Sequence, residues 1–317
     1  MKNKIIAILT SGGDAPGMNA CIRAITKTAL KNSTQVLGIR RGFNGLIEKD
    51  FFQITFKNVS DIIHRGGTIL CTARSEEFKS ANGVKKAVSF CKEQNITGVI
   101  AIGGDGTFKG AKKLCEASIP CVCIPGTIDN DIGCSEYTIG FDTATNTAVD
   151  MIDKLQDTAQ SHERCSLVEV MGRHCGRIAL CTGIAVGATA IVIPEIPYNF
   201  EKDILSPIKF RMNCGKHHFI IVISEGVGDT LKISKKIKNE AKIETRITVL
   251  GHVQRGGSPT SRDRIVATKM GYKAADLLIN GVYNRIIAVK NGKITDLDIK
   301  SALNIKKEIG KSILKIF

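Results

Sequence analysis

The chain predicts an α/β protein with mostly parallel sheets and helices on both faces, on three observations. Short apolar runs of strand length recur along its 317 residues, at 4–9, 35–39, 97–102, 120–124, 166–170, 190–193 and 218–223. Helical spacing fills many of the intervals, as with Val84, Ala87, Val88 and Cys91. Two of the runs end in glycine-rich turns that pass directly into helical pattern, the sign of strand-to-helix crossovers in a parallel sheet. The length suits about two domains, each able to bury its own core. A boundary is expected near Gly140-Phe141-Asp142, where a loop gives way to a long helical pattern through Ala148, Ile152 and Leu155.

In chain order, Met1-Lys2-Asn3-Lys4 leads straight into the first strand, Ile5-Ile6-Ala7-Ile8-Leu9, without the form of a cleavable signal. That strand runs into Thr10-Ser11-Gly12-Gly13-Asp14-Ala15-Pro16-Gly17, and Ile22, Ile25 and Ala29 then mark a helix. Val99-Ile100-Ala101-Ile102 repeats the arrangement, running into Gly103-Gly104-Asp105-Gly106-Thr107 before a helix through Ala111, Leu114 and Cys115. Glycines at such junctions let backbone N–H groups approach a polyphosphate, and the helix N-terminus adds partial positive charge. Neither loop has the Lys-Ser/Thr ending of a Walker motif or the full dinucleotide fingerprint.

The next strand, Cys121-Val122-Cys123-Ile124, runs into Gly126-Thr127-Ile128-Asp129-Asn130-Asp131. Two carboxylates one residue apart at a strand end suit phosphoryl transfer, one taking a proton from an attacking hydroxyl and the other organising a hydrated cation. The hexapeptide read by itself equally fits an Asx turn. Three such loops at strand ends of one sheet would converge on a single crevice. In the second half, Arg164, Arg173, Arg246 and Arg255 each sit next to the end of an apolar or glycine-rich segment, and arginine forks match phosphate oxygens. Taken as a set they point to a phosphate ester as the nucleotide's partner.

Composition narrows the function classes. No apolar stretch is long enough to cross a bilayer, which with the absent signal points to the cytoplasm and no membrane partner. Eleven scattered cysteines, several inside apolar runs (Cys121, Cys123, Cys181) and none in a C-x-x-C pair, read as buried thiols of a reducing compartment. His174-Cys175 has no second ligand pair at metal spacing. The net charge of +15 raises nucleic-acid binding, but the lysines are spread along the chain and aromatic residues are only 5%, so no nucleic-acid partner is expected. A basic surface equally suits anionic small substrates.

The blocks TSGGDAPGMN (10–19), NVSDIIHRGGTILCTAR (58–74), IGGDGT (102–107), PGTIDND (125–131), EVMGRHCG (169–176), TVLGHVQRGGSP (248–259) and SRDR (261–264) occur in this order. Jointly they make the chain resemble the bacterial ATP-dependent 6-phosphofructokinases from residue 4 to about residue 300. The resemblance implies two Rossmann-like three-layer domains with the active site in the cleft between them. Residues 1–140 plus about 254–304 would bind ATP, and 141–253 plus about 305–317 would bind fructose 6-phosphate. ATP would lie along Gly13, Arg74, Ser75, Gly104, Asp105, Gly106, Thr107 and Gly110. Asp105 and Asp131 would serve Mg2+. Asp129 matches the proton acceptor for the sugar 1-hydroxyl, and Thr127 and Arg173 would steady the transferring phosphoryl group. The sugar phosphate would be held by Thr127, Ile128, Asp129, Met171, Gly172, Arg173, Glu225, His252 and Arg255. Arg164 and Arg246 would reach it from a neighbouring subunit of a homotetramer.

The resemblance also separates two phosphoryl donors. Pyrophosphate-dependent members commonly place Asp where Gly106 stands and Lys where Gly126 stands, so glycine at both positions favours ATP. A second nucleotide site, through which bacterial members respond to ADP and phosphoenolpyruvate, matches at Arg23, Lys27, Asp61, Lys216 and His218. It departs at Phe56, Gln156 and Cys214, where basic residues are often found, and at Thr189, where a Glu is usual. Weak or absent control by those effectors is therefore expected. Alternatives of another class are a catalytically silent phosphosugar-binding subunit and, on charge alone, a nucleic-acid binder.

Overall fold

The computed structural model describes residues 4–307. The expectation for the start, Met1 to Asn3, and that for the end, from Glu308 to Phe317, lie outside the described residues. The chain divides into two compact units, one of residues up to Asp142 and from Arg255 to Lys307, the other from Thr143 to Gln254.

The first unit holds β1 (Ile5–Ser11), α1 (Met18–Lys31), β2 (Gln35–Ile39), α2 (Phe43–Glu48), β3 (Phe51–Gln53), α3 (Phe56–Val59), α4 (Ala81–Glu93), β4 (Gly98–Gly103), α5 (Asp105–Glu116) and β5 (Cys121–Pro125). The helix α6 (Phe141–Ser161) carries the chain into the second unit, which contains β6 (Cys165–Val170), α7 (Arg177–Ala185), β7 (Ala190–Val192), α8 (Ser206–Asn213), β8 (Phe219–Ser224), α9 (Thr230–Ala241) and β9 (Thr245–Val249). The chain then returns to the first unit for α10 (Ser261–Ile279), β10 (Arg285–Lys290), β11 (Lys293–Asp298) and α11 (Ile299–Leu303).

All seven apolar runs are strands, and β1, β4, β5, β6 and β8 are almost wholly buried. That is why their sequences read as continuous apolar runs instead of alternating ones. The first sheet has strand order β11-β10-β5-β4-β1-β2-β3, parallel except for the outer pairs β2–β3 and β10–β11. Its three central strands lie side by side in register, with Ser11 opposite Gly103 and Gly103 opposite Pro125. Their carboxyl ends therefore finish level, and the three loops that follow leave from one edge. Phe90, Phe108, Leu46 and Ile39 fill the core on one side of this sheet. Helix α4 starts where the Ser80 side chain accepts the Gly83 N–H at 3.1 Å.

The second sheet, β7-β8-β6-β9, is entirely parallel. Phe219, Ile221, Ile223, Ile233 and Ile237 pack against Leu167 in its core. β9 lies at an edge and is half-exposed.

Candidate active site

The three loops of the first unit are joined by hydrogen bonds at the sheet edge. Thr107, in the first turn of α5, donates its hydroxyl to the Ser11 carbonyl at 3.0 Å, which ties the β4 loop to the end of β1. The Gly126 N–H donates to the Gly103 carbonyl at 3.0 Å, tying the β5 loop to β4. Contact at this edge is so close that a Cβ on Gly103 would lie 2.3 Å from Thr107 Oγ1 and 2.4 Å from the Ser11 carbonyl oxygen. Gly12 adopts a left-handed φ of 88°, which a side chain would strain. Residues 72–75 run alongside: Thr72 donates its hydroxyl to the Gly12 carbonyl at 2.9 Å, and the Gly12 N–H reaches the Ala73 carbonyl at 3.4 Å. Gly13, Gly104, Gly106, Thr107, Arg74 and Ser75 are thereby gathered around one glycine-lined edge.

Helix α5 begins here with no side chain capping its N-terminus, so its leading N–H groups face the loop, the arrangement that attracts an anion. Asp105 is half-exposed in its first turn and pairs with Lys109 one turn on, at 2.6 Å. Gly106 has open space where a side chain would begin, with nothing within 4 Å. Gly110 lies further along the helix, where a Cβ would meet the Phe43 ring at 2.6 Å, so helix packing alone demands glycine there. Ser75 accepts the Phe78 N–H at 3.2 Å. Arg255 lies within this unit and donates from Nη1 to the Asp14 carbonyl at 3.0 Å, its guanidinium standing over Gly13.

The β5 loop carries the paired acids in unlike settings. Asp129 is 4% exposed while Asp131 is exposed, because Asn130 between them takes a left-handed φ of 49° and turns the chain. Thr127 Oγ1 accepts the Asp129 N–H at 3.3 Å. The loop folds back on the residues after it: Thr138 donates to the Thr127 carbonyl at 2.6 Å, Asn130 Nδ2 to the Glu136 carbonyl at 3.2 Å, and the Ile139 N–H to the Pro125 carbonyl at 2.9 Å. Ile128 is fully buried behind it.

A family model described as phosphofructokinase matches residues 5–278. The chain belongs to the phosphofructokinase family. It is 51% identical over 313 residues to an ATP-dependent 6-phosphofructokinase of Alkaliphilus metalliredigens, and equally so to one of Clostridium botulinum, covering 99% of this chain and 98% of each relative. Among solved structures it is similar to phosphofructokinase from Saccharomyces cerevisiae (TM-score 0.88, 31% identity, 95% of this chain) and from Pichia pastoris (TM-score 0.91, 32% identity, 96% of this chain). The chain spans 45% and 36% of those two longer chains.

In the second unit, the remaining residues expected in the site divide between the two ends of one sheet. At the carboxyl end, Met171, Gly172 and Arg173 follow β6 and Glu225 follows β8. Glu225 Oε1 accepts the N–H groups of Gly172 and Arg173 at 3.1 and 2.7 Å and so organises the turn. Arg173 is held at a left-handed φ of 53°, a conformation that costs energy for a long side chain. His252 is exposed in a 3-10 turn (Gly251–Arg255).

Arg164 and Arg246 stand at the opposite end, immediately before β6 and near the start of β9, where Ser166 pairs with Arg246. At about 3.3 Å per residue, a six-residue strand separates them from Arg173 by roughly 20 Å. One copy therefore does not bring these two arginines to its own Met171–Arg173 turn. Arg246 meanwhile pairs with Glu244 at 2.5 Å.

Of the second-site residues, Arg23 and Lys27 are one turn apart on α1, Asp61 follows α3, and Lys216 and His218 precede β8. Burial, aided by Arg211, lowers the Lys216 pKa, and burial, aided by Lys216 and His217, lowers that of His218. The Thr189 hydroxyl accepts from Arg211 Nη1 at 3.2 Å, and Nη2 reaches the Ala188 carbonyl at 3.2 Å. A guanidinium thus sits beside the position where the family's Glu is usual.

Tyr137, Thr138 and Asp263 received no role from the sequence although they brace the β5 loop. Asp263 lies inside the SRDR block. Its only local signal is an acid three residues after Thr260, which caps α10 by accepting the Asp263 N–H at 3.2 Å.

Proposed function

We propose that the chain transfers the γ-phosphoryl group of ATP to the 1-hydroxyl of fructose 6-phosphate, giving ADP and fructose 1,6-bisphosphate in glycolysis. The observation that carries this reading is the joining of three glycine loops from β1, β4 and β5 at one sheet edge, with buried Asp129 in the third. Full-length identity of 51% to ATP-dependent 6-phosphofructokinases supports it. The loop N–H groups and the uncapped α5 N-terminus bind the nucleotide phosphates along Gly13, Gly104, Gly106 and Thr107, with Arg74 and Ser75 alongside. Asp129 accepts the proton of the 1-hydroxyl as it attacks the γ-phosphorus in line. Thr127 and Arg173 stabilise charge spreading over the transferring group, which in a loose transition state is the main task left to the protein.

Asp105 and Asp131 supply hard, solvent-facing oxygens, which fit a Mg2+ ion that keeps water and phosphate oxygens as its other ligands. No group of three or more His, Cys, Asp or Glu able to hold a metal exists among the described residues. Once bound, the ion would supply charge that neutralises the phosphates. The open space at Gly106 favours ATP over pyrophosphate, since the Asp common in pyrophosphate-dependent members is absent.

Arg164 and Arg246 stand about a strand's length from Arg173, which suits the role the family resemblance implies for them, holding the sugar phosphate of a neighbouring copy in a homotetramer. No described helix is long and apolar enough to cross a membrane, and a cytoplasmic setting suits the buried free thiols. A coupled assay of purified protein with fructose 6-phosphate, run with ATP and with pyrophosphate and with or without ADP, tests donor and regulation together. The reading requires turnover with ATP and little response to ADP; turnover with pyrophosphate alone, or none, overturns it.

A further inference from the structure

One buried carboxylate lies outside the phosphate loops. Asp263, in the first turn of α10, is fully buried, which is unusual for a helix-terminal acid free to point into water. Its Oδ1 accepts two hydrogen bonds from one stretch of chain, from the Tyr137 hydroxyl at 2.6 Å and the Gly140 N–H at 2.8 Å. Burial, with Asp263 adding to it, raises the Tyr137 pKa far above its ordinary value, so the phenol remains a donor to the carboxylate. Thr260 caps the Asp263 N–H and also donates to Asp142 Oδ2 at 2.7 Å, and the Arg262 guanidinium lies over the Tyr137 ring at 4.9 Å.

What Asp263 grips is the return limb of the β5 loop. Between the two gripped residues, Thr138 donates to the Thr127 carbonyl and the Ile139 N–H to the Pro125 carbonyl, so the limb is stitched to the segment leading into Asp129. The same junction abuts the β1 loop. A Cβ on Gly140 would lie 2.6 Å from that of Ala15, and one on Gly17 would lie 2.8 Å from the Ile139 side chain. Both glycines have φ near 100°, where a side chain is strained.

We infer that Asp263, acting through Tyr137 and Gly140, is a positioning residue that sets the placement of the Asp129 carboxylate for proton removal. The inference rests on the reading of Asp129 as the proton acceptor. A carboxylate anchor suits this task because hydrogen bonds to an ionised acceptor are shorter and stronger than neutral ones, and its position is fixed by the start of a 19-residue helix.

The test compares Asp263→Ala, Asp263→Asn and Tyr137→Phe in steady-state kinetics, in the pH dependence of kcat, and in hydrogen exchange of peptides covering residues 126–140. Asp263→Ala is expected to lower kcat by about tenfold to a hundredfold, the size of effect that an ångström-scale misplacement produces. KM for ATP and fructose 6-phosphate should stay within about threefold, since uniform binding is not what is lost. The acid limb of the kcat profile should move and exchange at 126–140 should quicken. Asp263→Asn keeps the accepting oxygen and should recover most of kcat. Tyr137→Phe, which removes a single donor, should fall between the two and provides the decisive variant if Asp263→Ala does not fold.

Wild-type-like kcat and exchange in both Asp263→Ala and Tyr137→Phe would overturn the inference. So would losses equal in Asp263→Ala and Asp263→Asn, or exchange quickened evenly across the whole chain. If the wild-type protein does not phosphorylate fructose 6-phosphate, the functional reading fails by itself, and exchange at 126–140 still decides whether Asp263 holds the loop.

Discussion

Replacing Thr107 with Val tests whether the β1 and β4 loops work as one phosphate-binding surface. The change keeps side-chain shape and removes only the hydroxyl that donates to the Ser11 carbonyl at 3.0 Å. Thr107 is 3% exposed and Ser11 is 6% exposed, so water does not readily replace the lost donor. Leaving a buried carbonyl short of a partner costs about 1–3 kcal/mol. A loss of about 2 kcal/mol should lower the melting temperature by roughly 4–8 °C for a unit of this size. If the whole loss falls on the nucleotide-bound form, ATP affinity weakens by at most about thirtyfold. Thermal unfolding and ATP titration of Thr107→Val beside Thr107→Ser, which retains the hydroxyl, make the comparison. Equal melting temperature and ATP affinity in wild type and Thr107→Val would refute the argument that this bond joins the loops.

Changing Asp129 to Ser should lower kcat by about 10²- to 10⁴-fold while sparing KM for fructose 6-phosphate in a coupled assay, the range that a lost general base commands; near-normal turnover removes Asp129 from the chemistry. Gly106→Asp should fold normally, with nothing within 4 Å of its Cβ, yet weaken ATP use by about tenfold or more through repulsion of the phosphates, equivalent to about 1.4 kcal/mol. Unchanged KM for ATP would refute that electrostatic reasoning. Glu136 accepts the Asn291 and Gly292 N–H groups, and these bonds hold its pKa below the ordinary 4.5. A depressed carboxylate contributes its contact above the ordinary value and loses it as pH falls through the depressed one, so the Asn291 amide resonance should shift with a midpoint below 4.5. A midpoint at or above 4.5 contradicts the assignment.

Much of the fold was legible because the central strands are buried on both faces and therefore appear as unbroken apolar runs. β3, β9 and β11 escaped the reading for the opposite reason, whereas β10 is a buried apolar run, Ile286-Ile287-Ala288-Val289, that the reading passed over. β3 is three residues long, while β9 and β11 are half-exposed edge strands whose polar residues interrupt the run. The β10–β11 hairpin did carry a signal, Asn291-Gly292, with φ of 50° and 70° as a tight two-residue turn requires. In the site, the glycine loops and Asp129 were legible because each occupies consecutive residues at a strand end. The Thr107–Ser11 bond and the Asp263–Tyr137 bond were not, since their partners lie 96 and 126 residues apart. Nor could spacing alone place Arg164 and Arg246 at the far end of the sheet from Arg173, because that depends on strand direction and register.

The reaction proposed for this sheet edge moves a phosphoryl group from a nucleoside triphosphate to a sugar hydroxyl. Phosphorus NMR of the purified protein with Mg2+, ATP and fructose 6-phosphate observes that transfer directly. The predicted spectrum gains a new phosphate monoester at the 1-position as the γ-phosphate signal declines in equal amount and ADP appears. Loss of the γ-phosphate to inorganic phosphate without the sugar product, or formation of the product from pyrophosphate and not from ATP, would contradict it.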